Sequence, residues 1–285
     1  MKENTDQVAA TAQAFLERFG PDCGRNLDGV LPEIGLKLYY RDAESYEGAL
    51  LRIRGVPVGY VVLSGRIREQ SRRRFTLAHE LGHYLLPTQQ DLSQPCTRAA
   101  VESWDDTLPE SEAEANRFAA EILMPRVKIV PFLQQSPKFA HVEEVAAMCG
   151  TSLTASAYRL ASTTSFRMAI VWSEAGRARW YKSSQEFVRW VKKGPLSPET
   201  FAYDAFRGEQ IPSALESVPA GAWLFEKGLK PDARILEHSL FLPALDAVLT
   251  MLVIPEQIED WDDGDGHPEL DPNEFTFNRA RWPRK

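Results

Sequence analysis

One short stretch limits what this chain can be more than any other. Residues 75–83 read Phe-Thr-Leu-Ala-His-Glu-Leu-Gly-His and contain His79-Glu80-x-x-His83. On a helix, two His four apart lie on one face, one turn from each other. Both imidazoles can then reach a single Zn²⁺. Glu80 follows the first His and can face the same ion without ligating it, as a general base on water activated there. A helix with two buried, hydrogen-bonded His is the plainer explanation. Two His and a Glu are an incomplete metal site, so the rest of the chain must supply a third ligand.

Composition narrows the setting. At 285 residues the length suits two domains, or one domain with a sub-domain. A hydrophobic fraction of 44% with 26% charged residues is that of a soluble globular protein. No apolar run approaches a membrane span, and the polar, acidic N-terminus has no apolar segment of the signal-peptide kind. Cys23, Cys96 and Cys149 are odd in number and far apart, which argues against a disulfide framework and for a reducing, cytoplasmic setting. None belongs to a Cys-x-x-Cys pair. The net charge of −7 makes non-specific DNA binding by the whole molecule a poor expectation, although a local basic patch stays possible.

In chain order, residues 5–19 have helical apolar spacing that Gly20-Pro21 ends. Residues 36–41, 49–54 and 59–64 are short and rich in β-formers, and read as three strands, with Gly55 and Pro57 suggesting a hairpin between the last two. A helix, three strands and then the helix with the His pair is the layout of a minimal zincin domain. There an edge strand lies beside the metal, and substrate can add to it as a further strand. Residues 66–74 are dense in Arg just before the metal helix, where cations oppose the helix dipole. A solvated stripe is the expectation, with docking of an acidic partner as the alternative. Pro87 stops the metal helix, and residues 88–111 read as a long loop with a short helix near 98–102, of the kind that forms lids or substrate-binding loops.

Residues 111–125 restore helical periodicity through Ala115, Phe118, Ala119, Ile122 and Leu123, and Pro125 closes the segment. Glu112 and Asn116 are four apart and share a face. Glu114 is turned about 160° from Glu112. Glu112 is therefore the candidate third ligand, with Asn116 one turn away as a donor that fixes its carboxylate. A first-turn carboxylate favoured by the helix dipole is the structural alternative.

The runs RRRFTLAHELGHYLL and EAEANRFAAEILMP, in this order with a variable loop between them, resemble the ImmA/IrrE family of metallopeptidases. The resemblance covers residues 36–125. It implies a zincin-like fold of the gluzincin type, His79 and His83 as metal ligands, Glu80 as the catalytic Glu, Glu112 as the third ligand, and Glu114 as an acidic position that does not ligate. It also implies a protein substrate, a helix-turn-helix repressor of the XRE type or an antitoxin, whose cleavage would release genes for stress response, mobile-element transfer or a toxin–antitoxin pair.

Residues 127–164 read as helical, and 143–161 have a helix, a turn at Gly150 and a second helix, as in a helix-turn-helix. Arg159 is the one basic residue of that second helix, so a helical buttress packed on the peptidase is favoured over DNA binding. Cys149 falls on the apolar side and reads as core. Cys96 lies in the loop near the site, where a loop or packing role competes with a thiolate that caps the zinc as a redox lock. His141 or Tyr158 could reach the oxyanion, but spacing places neither.

From 165 the texture changes to a mixed module. Strands are expected at 166–172, 177–182, 220–226, 234–242 and 246–254, and helices at 184–193 and 198–206. This is compatible with a GAF- or PAS-like sensor, which IrrE-like proteins carry. Trp172, Trp180, Trp190 and Trp223 are core candidates that could also line a pocket. Residues 256–285 form an acidic arm with an apolar, basic end. Its DDGDG segment lacks the spacing and terminal Glu of a calcium loop.

The expectation is thus an α+β chain with a zincin-like domain at 1–126, a helical or helix-turn-helix segment at 127–164, an α+β sensor-like domain at 165–255 and an arm at 256–285. The expected activity is that of a zinc endopeptidase, with Zn²⁺ on His79, His83 and Glu112, water in the fourth position and Glu80 as the proton carrier. Mn²⁺ or Fe²⁺ suits the same ligands. The alternative is a non-proteolytic regulatory partner that keeps the site for stability or sensing, or a DNA-associated regulator.

Overall fold

The computed structural model describes residues 2–52, 58–89, 95–96, 109–225 and 229–255. The 98–102 helix and the 256–285 arm lie outside the described residues, as does the 53–57 link. The chain is α+β, with helices and two sheets.

The N-terminal half begins with α1 (Lys2–Phe19), which Gly20 ends with its backbone in the left-handed region. A 3₁₀ turn, a single turn of helix α2 (Leu27–Val30) and a second 3₁₀ turn then lead to β1 (Leu36–Arg41), β2 (Gly48–Leu51) and β3 (Gly59–Ser64). Helix α3 (Gln70–Leu85) follows, and then a short strand β4 (Pro95–Cys96). The strand order is β1-β3-β2-β4 among the described residues. β1 and β3 run parallel, whereas β2 is antiparallel to both β3 and β4. The three expected strands are present and β2 and β3 do pair as antiparallel neighbours. The fourth strand was not expected.

Helix α4 (Glu110–Leu123) packs with α1 and α3, and Val8, Phe15, Leu50, Val61, Leu81, Phe118 and Ile122 close one core between these helices and the sheet. The Arg-rich stretch is a solvated stripe only in its first part, where Arg66 and Arg68 are exposed; within α3 its arginines are engaged. Arg72 pairs with Glu47, its Nε 3.0 Å from a carboxylate oxygen. Arg73 donates to the Ile67 carbonyl, and Arg74 donates to the Gly150 carbonyl. These side chains are half-buried and hold the start of α3 to the strand edge and to the later helices.

Helices α5 (Arg126–Leu133), α6 (Phe139–Cys149) and α7 (Leu153–Thr163) come next. Gly150 turns the chain between α6 and α7 in the left-handed region, and Ser152 caps α7 by accepting from the Ala155 amide. Arg159 is buried, forks onto the Glu121 carboxylate at 2.6 and 2.5 Å, and also donates to the Met124 carbonyl. The one basic residue of the second helix is therefore a tether between α7 and α4. Cys149 is core, as expected.

The C-terminal half is one antiparallel sheet of β5 (Met168–Glu174), β6 (Arg177–Ser183), β7 (Gly194–Pro195), β8 (Glu216–Pro219), β9 (Arg234–Leu242) and β10 (Ala247–Val253), with a short helix α8 (Phe201–Phe206) between β7 and β8. The order is β7-β6-β5-β10-β9-β8 among the described residues. Both faces of its centre are covered. Met168, Ile170, Leu249 and Met251 pack with α5–α7, and Val171, Val248 and Leu252 pack with Phe187, Val191, Ala202 and Trp223. Two expectations fail here. Residues 184–193 are not helical; Phe187 and Val191 drop under the sheet from turns, and Val191 bridges Leu224. The segment from 220 is a 3₁₀ turn, Ala220–Ala222, and the strand lies just before it in β8. The tryptophans lie in different settings. Trp172 stacks on Trp180, Trp223 is buried and Trp190 is exposed. No helix among the described residues is long and apolar enough to cross a membrane.

Glu237 sits at the heart of this half. Its carboxylate accepts from Trp223 Nε1 at 2.7 Å, from the Ala202 amide at 2.8 Å and from Ser239 Oγ at 2.8 Å. Burial still pushes its carboxyl above the ordinary value of 4.5, although those donors work the other way. The folded state thus holds this proton more tightly than the unfolded chain does. Its contribution to stability is fully present below pH 4.5 and is lost as pH rises through the folded value. Glu237→Gln should flatten that part of the stability-versus-pH curve, read by urea unfolding at a series of pH values.

Candidate metal centre

Helix α3 is placed by its two ends. Arg52, beyond the end of β2, donates to the carbonyls of His83 and Tyr84 at 3.0 and 2.6 Å, a cation at the C-terminal turn where the helix dipole favours one. Leu86 is extended, as a residue before proline must be, and Pro87 ends the helix. Along the buried face, His79 and His83 present their Nε2 atoms 3.0 Å apart.

The third group arrives because α3 and α4 cross at glycine. A Cβ on Gly82 would lie 2.9 Å from Ala115 Cα, so only hydrogen fits at this crossing. Glu112, in the first turn of α4, then reaches the His pair. Its Oε2 is 3.1 Å from His79 Nε2, and its Oε1 is 3.6 Å from His83 Nε2. Ligands around a tetrahedral zinc, with bonds of about 2.0–2.1 Å, stand about 3.3 Å from one another. The three spacings bracket that value.

Each imidazole is oriented through its other nitrogen. His79 Nδ1 bonds Asn116 Oδ1 at 2.8 Å, and His83 Nδ1 bonds Gln89 Oε1 at 2.5 Å. Both partners offer an acceptor, so Nδ1 carries a proton in either charge state, and the neutral ring keeps its Nε2 lone pair for a cation. Gln89 is itself held, donating to Glu114 at 2.7 Å and to the Ser111 carbonyl at 3.0 Å, and Thr88 also donates to Glu114. Asn116 thus orients His79 rather than the Glu112 carboxylate, as the sequence had suggested. Glu114 points away from the cluster and anchors the chain after α3.

Glu80 is fully buried beside β2. A Cβ on Gly48 would lie 2.3 Å from Glu80 Oε1, so the strand gives room to this carboxylate and to little else. By hydrogen-bond geometry neither Glu80 oxygen is paired, nor is Glu112 Oε2, although the Cys96 thiol stands close enough to Glu80 to draw its ionisation down. Buried carboxylate oxygens without donors are costly. Burial pushes the Glu80 carboxyl up, against the pull of His79 and His83. Burial would raise Glu112 too, but the facing imidazoles outweigh it and hold that carboxyl down to about 2. Burial opposes charge on His83, yet Glu112 and Glu80 beside it raise its value overall. Two carboxylates and two imidazole lone pairs converging in a dry site fit a divalent cation, whose charge would offset the repulsion.

A fourth donor completes the cluster. Cys96 Sγ joins His79, His83 and Glu112 in a group whose donor atoms all lie within 4.8 Å of one another. Its thiol is buried, and burial together with the nearby Glu80 and Glu112 pushes its ionisation up. Residues 36–161 thus assemble a His, His, Glu, Cys cluster with a buried Glu at its side. Residues 32–161 match the model of a peptidase family, described as the IrrE N-terminal-like domain. This part of the chain is similar to that family. The match makes it a metallopeptidase domain, and runs from just before β1 to near the end of α7. Comparison with curated proteins gave no match.

Within the IrrE-like domain the candidates of the motif and of α4 come together: His79, His83, Glu112 and Asn116, with Glu80 alongside. His141 lies tilted against Phe132, and Tyr158 faces Lys182 of β6, so neither joins them. Gln89 was missed, because nothing about a Gln six residues past a His marks it. Gly48 and Gly82 were missed as well; only the approach of a second element gives a glycine this meaning. Gln89→Ala should weaken Zn²⁺ binding about 10–100-fold in a chelator competition, while the fold by circular dichroism is kept. Gly82→Ala should destabilise the protein by about 1–3 kcal/mol in denaturant, because the helices cannot both keep their places.

Proposed function

We propose that the protein is a metal-dependent endopeptidase, with His79, His83 and Glu112 as the metal ligands and Glu80 as the general base. The observation that carries this is the convergence of the three donors at 3.0–3.6 Å beside a buried carboxylate whose oxygens bond nothing. Zn²⁺ suits the set, and Mn²⁺ or Fe²⁺ is compatible with it. When bound, the metal polarises the scissile carbonyl and lowers the pKa of the attacking water. Glu80 takes the proton from that water and later hands it to the leaving amine. Asn116 and Gln89 keep both imidazoles turned to the cluster.

In this reading residues 1–126 carry the chemistry and 127–164 connect it to a sensor-like module at 165–255, GAF- or PAS-like by analogy, with 256–285 as an appended arm. The substrate is a protein. The family resemblance points to an XRE-type helix-turn-helix repressor or antitoxin, so that cleavage would alter transcription in a stress response, on a mobile element or in a toxin–antitoxin pair. Purified protein with Zn²⁺ should cut an XRE-type repressor, if only slowly while Cys96 occupies the site, and Glu80→Gln should abolish cutting while Zn²⁺ still binds. No cleavage by either protein, with equal behaviour in cells, would sink the proposal.

One observation favours a second reading. Cys96 stands with its sulfur near the three candidate ligands and β4 covers the edge of β2, as in a binding protein that keeps the site closed for stability or sensing. Such a protein would keep its cellular function in Glu80→Gln.

A further inference from the structure

β2 is paired with β3 on one side, and on the other its edge is taken by β4. Cys96 stands opposite Gly48, and Pro95 opposite Ala49. The Glu47 amide donates to the Cys96 carbonyl at 3.0 Å. Gly48 is also the residue against which Glu80 lies. A peptide adding to a sheet edge takes its main-chain hydrogen bonds from that edge. On β2 it would run past Glu80 and the metal ligands, along the line that β4 already holds.

The side chain on that line is also particular. Cys23 and Cys149 are buried among apolar residues, as packing cysteines are. Cys96 is 2% exposed, and its sulfur faces two imidazole nitrogens and a carboxylate at ligand range. Zinc–thiolate bonds are about 2.3 Å long, so closure of the widest gap asks for a shift of about 1 Å.

We propose that Pro95-Cys96 is an inhibitory strand built into the chain, which holds the peptidase latent by giving the metal its fourth ligand and by occupying the substrate edge. This rests on the metallopeptidase reading above. As the bond forms, the Cys96 thiol gives its proton to solvent and the sulfur binds the metal. On activation that bond breaks, water takes the vacated position, the thiol regains a proton, and β4 leaves β2 so that substrate can pair there. No oxidant or reductant is needed. Latency and activity exclude each other physically, because one edge cannot pair with two strands and one position cannot hold both sulfur and water.

Co²⁺ alone serves as the probe of ligation. The full-length protein loaded with Co²⁺ should show a sulfur-to-cobalt charge-transfer band in the near ultraviolet. Cys96→Ser should lose that band and keep the visible ligand-field bands of the remaining site. Zn²⁺ at 100 times its dissociation constant should slow alkylation of Cys96 by iodoacetamide about 100-fold, read by peptide mass mapping on the wild-type chain. On β-casein, Cys96→Ser should be faster than wild type, with Glu80→Gln inactive in both backgrounds. Cobalt bound without the charge-transfer band, or alkylation unchanged by zinc, would overturn the ligation. Glu80-dependent cleavage that is no faster in Cys96→Ser would overturn the latency. Failure of either protein to bind cobalt would instead remove the metal-centre reading beneath the proposal. Should Cys96→Ser fold poorly, the alkylation measurement on wild type still decides ligation.

Discussion

The site depends on one close crossing. Gly82 lies against the backbone of Ala115, and no side chain fits between them. Because α3 and α4 meet there, Glu112 stands within reach of both imidazoles. Asn116, one turn beyond Glu112, meets His79 through the same contact. A second close approach, Gly48 against Glu80, sets the strand beside the helix. Two missing side chains thus fix three elements around a volume of a few ångströms. The apolar cluster from Val8 to Leu123 holds those elements in place from behind.

That arrangement is electrostatically expensive. Glu80 is buried with both oxygens unbonded, Glu112 is partly buried with one unbonded, and the imidazoles and a thiol crowd against them. Such a set is costly without a cation and favourable with one, since desolvation penalises isolated charges and rewards a compensated group. The opposed directions of Glu112, held low, and His83, held high, are those of a carboxylate facing an imidazole. The chain from His83 through Gln89 to Glu114 keeps the lone pairs aimed at the cluster.

The later half answers a different demand. Six residues of β5 in succession are buried, as is every residue of β10, so these strands lack the alternation of a half-exposed sheet. The face toward α5–α7 joins this half to the end of α4 through Met124 and Ala120. Arg159 reinforces the join from α7 through Glu121 and the Met124 carbonyl. Arg74 and Arg25 add bonds to the carbonyls at the end of α6. The metal helix is therefore tied directly to the layer that covers the sheet.

Local sequence determined a good deal by itself. The four-residue spacing of His79 and His83, the stop at Pro87, the stripe from Ala115 to Leu123 and the β-rich runs at 36–41 and 59–64 are short-range signals, and the elements formed where they stand. The candidate ligand Glu112 was legible because it shares a helix with a strong periodic pattern and a second family block. Residues 184–193 misled because Phe187 and Val191 have helical spacing, while burial beneath the sheet is satisfied equally well by turns. Only tertiary structure decided that Asn116 serves His79, that Gln89 serves His83, and that Arg159 is a tether. The same holds for Cys96, a single residue in a long polar stretch. Its place on the free edge of β2, opposite Gly48, comes from pairing between strands nearly fifty positions apart, and no periodicity within either segment encodes such a partner.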